Sequence, residues 1–209
     1  PGETIGILGG GQLGRMIAMA AAQLGYRSHI YAPEADSIAA EVSAEFTCAA
    51  WDDAEAMARF AAGCAVVTYE FENVPVGPLA ALGDVPLLAK PLALETAQDR
   101  LNEKRFVTDL GGTPAPFHPV DSAADLAEAI AAIGVPGILK TRRDGYDGKG
   151  QWRIMTPEDA EGLDLPAQPL IYEGFVTFFA EFSVILCRGA DGEIRYFDSA
   201  HNVHEGGIL

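Results

Sequence analysis

The stretch Gly137 to Trp152, GILKTRRDGYDGKGQW, decides how the chain is read. A strand is expected over 135–140, delivering Lys140 at its end, and a second strand over 151–154. Between them come Arg142 and Arg143, and then a glycine-rich loop, Gly145-Tyr146-Asp147-Gly148-Lys149-Gly150-Gln151. Glycine takes positive φ at little steric cost. A loop with three glycines can therefore turn successive backbone N–H groups inward and form an anion-binding concavity. Four cations, Lys140, Arg142, Arg143 and Lys149, fall within ten residues of a chain whose formal net charge is −16. That local reversal of sign points to a polyphosphate. A solvated basic hairpin loop is the plain alternative, and the strand-delivered lysine and the flanking strands weigh against it. The loop is not a Walker A motif, because no GxxxxGK(S/T) leads into a helix. A glycine-rich flap between two strands is the other way to cover ATP phosphates.

The rest of the composition makes this basic island stand out. There are 30 Asp and Glu against 14 Lys and Arg, with a sequence pI of about 4.4. Such a surface repels nucleic acid and anionic membranes, so neither is an expected partner. At 209 residues, 49% of them hydrophobic, the chain can build one or two domains with real cores. Cys48, Cys64 and Cys187 are odd in number and far apart, with no CxxC or Cys/His spacing. They read as small core residues of a reducing, cytoplasmic compartment. No apolar run approaches the ~20 residues of a membrane span, and the N-terminus has no signal-peptide pattern.

Working outward to the N-terminus, Thr4 to Leu8 reads as a buried parallel strand leading into Gly9, Gly11 and Gly14, a GxGxxG. A helix is expected over 13–24 with Gly25 as its stop, then a strand over 27–31 followed by Glu34 and Asp36. Phe46 and Thr47 start a short third strand, and Asp52 or Asp53 caps a helix ended by Gly63. A fourth strand, 65–68, carries Tyr69, Glu70 and Glu72 at its end, followed by a helix from Pro75 to Leu82 and a fifth strand over 85–88. Alternating strands and helices argue a parallel sheet covered on both faces. Helical connectors over 92–112 carry Asp99, Arg100, Lys104 and Arg105. A smaller unit follows: strand 117–120, helix 122–133, the two strands around the glycine loop, a helix start at Thr156-Pro157-Glu158, and strand 169–172. Residues 172–176 read as a linker, and 180–187 with 194–197 as a hairpin across an Asp-Gly turn.

Four runs together, KTRRDGYDGKGQW at 140–152, GGGQLGRM at 9–16, TYEFENVP at 68–75 and HNVHEGGIL at 201–209, resemble the ATP-grasp ligases. More narrowly, they are similar to the 5-(carboxyamino)imidazole ribonucleotide synthases of purine biosynthesis. The resemblance implies an α/β chain with a parallel-sheet, Rossmann-like N-terminal domain over 1–91. Connector helices and a small α+β ATP-grasp lid would occupy 92–172, and the beginning of an α+β C-terminal ATP-grasp domain 173–209. Members of that family are longer, so the chain is expected to be an N-terminal portion that does not turn over alone. The resemblance places ATP on Arg100, Lys140, the run Gly145, Tyr146, Asp147, Gly148, Lys149, Gly150 and Gln151, the run Glu173, Gly174, Phe175 and Val176 at the adenine, Glu181 at the ribose, and His204. Lys140 and Lys149 would stabilise the moving phosphoryl group. Gln12, Leu13, Glu72, Asp144 and Tyr146 would hold the ribonucleotide. His201 stands where many relatives carry Glu and receives no role. Mg²⁺ is implied, with ligands expected beyond Leu209 and none assigned here.

The reading that follows is an ATP-dependent ligase acting on 5-aminoimidazole ribonucleotide and bicarbonate, with a homodimer implied by the family. Other ATP-grasp ligases share the loop logic. An NAD(P)-dependent oxidoreductase is the alternative that GxGxxG with Glu34 and Asp36 raises, and a non-catalytic nucleotide sensor is a third. A turn or capping role competes for Glu70 and Glu72, an ordinary linker for 173–176, and a solvent-facing carboxylate for Glu181.

Overall fold

The computed structural model describes residues 1–145 and 149–205. The chain divides into two compact units, Pro1–Glu103 and Lys104–Leu209.

The first unit opens with β1 (Thr4–Leu8), α1 (Gln12–Gln23) and β2 (Arg27–Ala32). It continues through β3 (Glu45–Cys48), α2 (Ala54–Ala62) and β4 (Val66–Tyr69), and ends in α3 (Pro91–Ala97) and the start of α4 (Arg100–Asp109). The sheet order is β3-β2-β1-β4, every pairing parallel. Apolar residues sit on both faces, as a parallel sheet requires. Ile7 and Ile30 pack towards Ala18 of α1. Leu8, Tyr31 and Val67 pack towards Met57 and Phe60 of α2. Gly6 makes the second contact possible, since a Cβ there would lie 2.7 Å from the Phe60 ring. Asp53 caps α2, its Oδ1 accepting from Ala56 N at 2.9 Å. Two expectations change. The fifth strand reduces to a single parallel bridge from Leu87 to Val67. The helix from Pro75 is a 3-10 helix over Gly77–Leu82.

The second unit is an antiparallel sheet of β5 (Phe117–Val120), β6 (Gly137–Thr141), β7 (Gln151–Ile154) and β8 (Leu170–Gly174), in the order β5-β8-β6-β7. Helix α5 (Ala123–Ile133) covers one face, its start capped by Ser122 Oγ accepting from Asp125 N at 3.2 Å. Side chains alternate along a strand, and directly opposed residues share a face. Val120, Leu139, Ile154, Leu170 and Tyr172 form the face that packs on Leu126 and Ala129 of α5. The register then assigns Phe117, Glu173, Ile171, Ile138, Lys140, Gln151 and Arg153 to the other face.

Beyond β8 lie β9 (Glu181–Ser183), β10 (Leu186–Arg188), β11 (Ile194–Tyr196) and β12 (Ala200–Asn202). The Asp-Gly hairpin forms between β10 and β11, with Gly192 at φ 85°. The single strand expected over 180–187 is interrupted at residues 184–185, and its first part pairs with β12 instead. Strand β8 also runs two residues further than expected, so Glu173 and Gly174 belong to the sheet and not to a linker. A glycine there reads as a break in the sequence, but β8 is flanked by β5 and β6 and its backbone stays paired. No helix among the described residues is long and apolar enough to cross a membrane.

Candidate functional site

Lys140 is the last-but-one residue of β6 and stands on the face turned away from α5. Its Nζ donates to Glu173 Oε2 at 2.9 Å, and Lys104 Nζ lies 3.4 Å from the same oxygen. The Glu173 side chain is 9% exposed, those of Lys140 and Lys104 21% and 16%. Glu173 reaches this position because β8 is an inner strand of the sheet, with Phe117 opposite on β5 and Ile138 opposite on β6. A carboxylate so covered is costly unless paired, and two ammoniums pair it. Gln151 opens β7 directly opposite Lys140.

The glycine loop departs from this corner. Thr141 N donates to Gly150 O at 2.9 Å, closing its base. Gly150 has φ 64°, and a Cβ there would lie 2.7 Å from Thr141 Oγ1. Asp144 also takes positive φ, 61°, which Asp tolerates better than most residues. Gly145 is half-buried, and Asp144 and Lys149 are exposed. Tyr146, Asp147 and Gly148 lie outside the described residues, as do the last four of HNVHEGGIL.

In the run expected to meet the adenine, Gly174 N donates to Pro116 O at 2.9 Å and Phe175 N to Pro136 O at 3.0 Å. The Phe175 and Val176 side chains are each 48% exposed just past the sheet. Arg100 is half-buried as the first residue of α4, whose start is capped by Asp99 Oδ1 accepting from Leu101 N at 2.9 Å.

Glu181 and His204 are brought together on the β9–β12 pair. Glu181 Oε1 is 2.8 Å from His204 Nε2 and accepts from Asn202 Nδ2 at 3.0 Å. Asn202 Nδ2 also donates to Ser183 Oγ at 2.9 Å. The hydrogen bonds from His204 and Asn202 hold the Glu181 carboxyl below the ordinary glutamate value. His201 is exposed on the same strand, opposite Phe182.

In the first unit, Gly9, Gly10, Gly11, Glu34, Trp51, Glu70 and Phe71 line a cleft of about 250 Å³. The GxGxxG turn has its expected close approach, since a Cβ on Gly14 would lie 3.0 Å from Gly9 O. The anion position at the head of α1 is occupied from within. Gly11 N donates to Glu70 Oε1 at 2.8 Å, and Glu70 fills the space beside Gly9. Two carboxylates line the cleft, so a pyrophosphate meets like charge there. The Glu70 carboxylate at the helix head weighs against the dinucleotide alternative. Gln12 and Leu13 are exposed on the first turn of α1, and Glu72 is exposed after β4.

Lys104 escaped the sequence reading as a site residue, and Glu70 and Asn202 received no ligand role in it. Glu70 was visible beside Glu72 at the strand end, but only the fold brings it to Gly11. Among the described residues, no group of three or more His, Cys, Asp or Glu could hold a metal ion.

Comparison with known proteins accounts for both units. The family model of the ribonucleotide synthetase preATP-grasp domain matches residues 2–98, and that of the ATP-grasp domain matches residues 105–209. N5-carboxyaminoimidazole ribonucleotide synthase of Brucella melitensis is 49% identical over 214 residues, covering 100% of this chain and 59% of the relative. A crystal structure of an ADP complex of N5-carboxyaminoimidazole ribonucleotide synthetase superposes with TM-score 0.92 and 38% identity, over 100% of this chain and 56% of that one. N5-carboxyaminoimidazole synthase from Aspergillus clavatus, in complex with ADP and 5-aminoimidazole ribonucleotide, superposes with TM-score 0.83 and 28% identity, over 98% and 54%. The chain therefore spans between 54% and 59% of the length of these relatives. The chain belongs to the ATP-grasp family, with a preATP-grasp domain of the ribonucleotide synthetase type ahead of its ATP-grasp domain and N5-carboxyaminoimidazole ribonucleotide synthases as its relatives.

Proposed function

We propose that the full-length protein is an ATP-dependent ligase that carboxylates 5-aminoimidazole ribonucleotide. In this reading a bicarbonate oxygen attacks the γ-phosphorus of ATP and ADP leaves. The carboxyphosphate formed passes its carboxyl group to the exocyclic amine of the ribonucleotide, releasing inorganic phosphate and a proton. The observation that carries the reading is the cationic sheet face beside the glycine loop, with Lys140 at its centre, in a chain whose relatives are crystallised with ADP and with the ribonucleotide.

Phosphoryl transfer asks a protein for position and charge, with little covalent work. Lys140 and Lys149 would sit on phosphate oxygens as point charges, and the N–H groups of 145–151 would complete the cradle. Arg100 would add a further cation at the nucleotide. The adenine would take the edge at 173–176, and the ribose hydroxyls Glu181 with His204. Closing the loop would keep water from the labile carboxyphosphate, with Asp144 and Tyr146 facing the ribonucleotide. Gln12, Leu13 and Glu72 would hold that substrate on the first domain. In domain terms the substrate part would run over 1–91, the lid over 92–172 and the nucleotide-binding part from 173 on. Mg²⁺ belongs to the reading, but the described residues offer no set of ligands for it, and none of these steps is routed through it. A cytoplasmic homodimer is the setting that fits it.

The test is phosphate release by the full-length protein in bicarbonate buffer, with and without 5-aminoimidazole ribonucleotide. Release should require the ribonucleotide, and Lys140→Ala should lower it by about a hundredfold or more, the scale set by losing one charge-stabilising group. Release unaffected by the ribonucleotide would overturn the substrate assignment. A wild-type protein that binds ATP and releases no phosphate would be a sensor.

A further inference from the structure

Lys104 has no part in the reaction described above, yet its seat is built. Its side chain is 16% exposed, with Nζ 3.4 Å from Glu173 Oε2 and 5.9 Å from the centroid of the Phe117 ring. Phe117 and Glu173 are opposed across β5 and β8, so ring and carboxylate form one seat on the face that carries Lys140. Holding a long lysine this still costs side-chain rotamer entropy. A lysine on a helix normally keeps that freedom and stays in water.

The charge count gives the seat a purpose. Lys140 Nζ, at 2.9 Å, and Lys104 Nζ share one oxygen of one carboxylate. One negative charge cannot neutralise two positive ones, so one positive charge is left over in this cluster. Lys140 and Glu173 make a short ion pair that by itself is neutral. Lys104 adds the second positive charge, which offsets the carboxylate's field beside Lys140 and keeps the cluster positive for an incoming anion.

We propose that Lys104 is a positioning residue of the nucleotide site: held on Glu173, it offsets that carboxylate's charge so that Lys140 can take a phosphate oxygen of the nucleotide. The inference rests on the reading that Lys140 contacts the nucleotide, and it goes beyond that reading in assigning Lys104 and the side chain of Glu173.

ADP binding by calorimetry on the full-length protein, at fixed ionic strength, tests it without turnover. Lys104→Met should raise the dissociation constant by about tenfold, the order expected for one partly screened unit charge. Lys104→Arg should restore it to within about twofold, since the guanidinium keeps the charge. The decisive readout is the double variant. In a Glu173→Gln background, Lys104→Met should cost only about twofold, because the carboxylate through which it acts is gone. Equal ADP affinity for wild type and Lys104→Met would overturn the proposal, and so would the same tenfold loss in the Glu173→Gln background. Lys104→Gln replaces the Met variant if melting shows the latter unfolded. A wild-type protein that does not bind ADP would instead sink the nucleotide reading, and this inference with it.

Discussion

Removing the Glu70 side chain should loosen the first unit by a readable amount. Glu70 Oε1 accepts from Gly11 N at 2.8 Å, at the head of the 12-residue helix α1. A hydrogen bond to a charged group contributes about 1.5–3 kcal/mol net. A carboxylate near a helix N-terminus adds about 0.3–1 kcal/mol. Gly11 is half-buried and opens on the cleft, so water can replace part of the lost bond. Glu70→Ala should therefore cost about 2–3 kcal/mol, and Glu70→Gln, which keeps an acceptor oxygen and the filled space, about 1 kcal/mol. The chain has two tryptophans, Trp51 and Trp152. Trp51 stacks on Phe71 at 6.5 Å between ring centroids beside this turn, so a Trp152→Phe background leaves a reporter of the first unit alone. With a urea slope of about 2 kcal/mol per molar, the Ala variant's midpoint should fall by roughly 1 M. The emptied turn should also gain an anion site, so pyrophosphate should raise the Trp51 midpoint of Glu70→Ala and leave wild type unmoved. An unchanged midpoint in Glu70→Ala would refute the idea that this carboxylate completes the turn.

Three further outcomes follow from the geometry. A Cβ on Gly137 would overlap the Tyr172 hydroxyl and ring, and that hydroxyl donates to Gly134 O at 2.8 Å. Gly137→Ala should thus destabilise the second unit by about 2–4 kcal/mol, combining overpacking with the lost bond, as read from Trp152 in a Trp51→Phe background; a wild-type midpoint would contradict it. Burial of His29 against Phe60 and beside Thr47 depresses its pKa, with Glu45 opposing this weakly. Below the unfolded value of 6.5 the unfolded chain then binds the extra proton, so stability is full above that pH and drops as pH falls through the folded pKa. The Trp51 urea midpoint should decline from around pH 7.5 to around pH 5.5 by more in wild type than in His29→Gln, and parallel profiles would exclude His29 as the cause. For Glu181, also depressed, the stabilisation is present above the ordinary glutamate value of 4.5 and lost as pH falls through its folded pKa. Carbon NMR of its carboxyl should show a midpoint below 4.5 that moves up in Asn202→Ala; a midpoint at or above 4.5 in wild type would count against the pairing.

Local signals made much of this architecture readable. The TIGIL strand, the GxGxxG turn, α1, the aspartate cap of α2 and the β6–β7 pair around the glycine loop are all set by neighbours in sequence. The residues that were missed depend on distant ones. Lys104 looks like any solvated helix lysine until β8 brings Glu173 beneath it. The chain leaves the sheet after Tyr69, so alternation could not say which of Glu70 and Glu72 turns back to Gly11. Glu181 and Asn202 meet because a strand expected to be continuous breaks at 184–185 and finds a second partner.

The two-faced sheet of the second unit has an arithmetic of its own. Leu139 is fully buried and Lys140 is its neighbour, one facing oil and the other facing charge. Inserting or deleting one residue within β6 would exchange them, driving an ammonium into the hydrophobic layer and a leucine onto the cationic surface. Change in this part of the molecule is therefore counted in twos within the strands, and the frame that aims Lys140 is locked from both sides of β6.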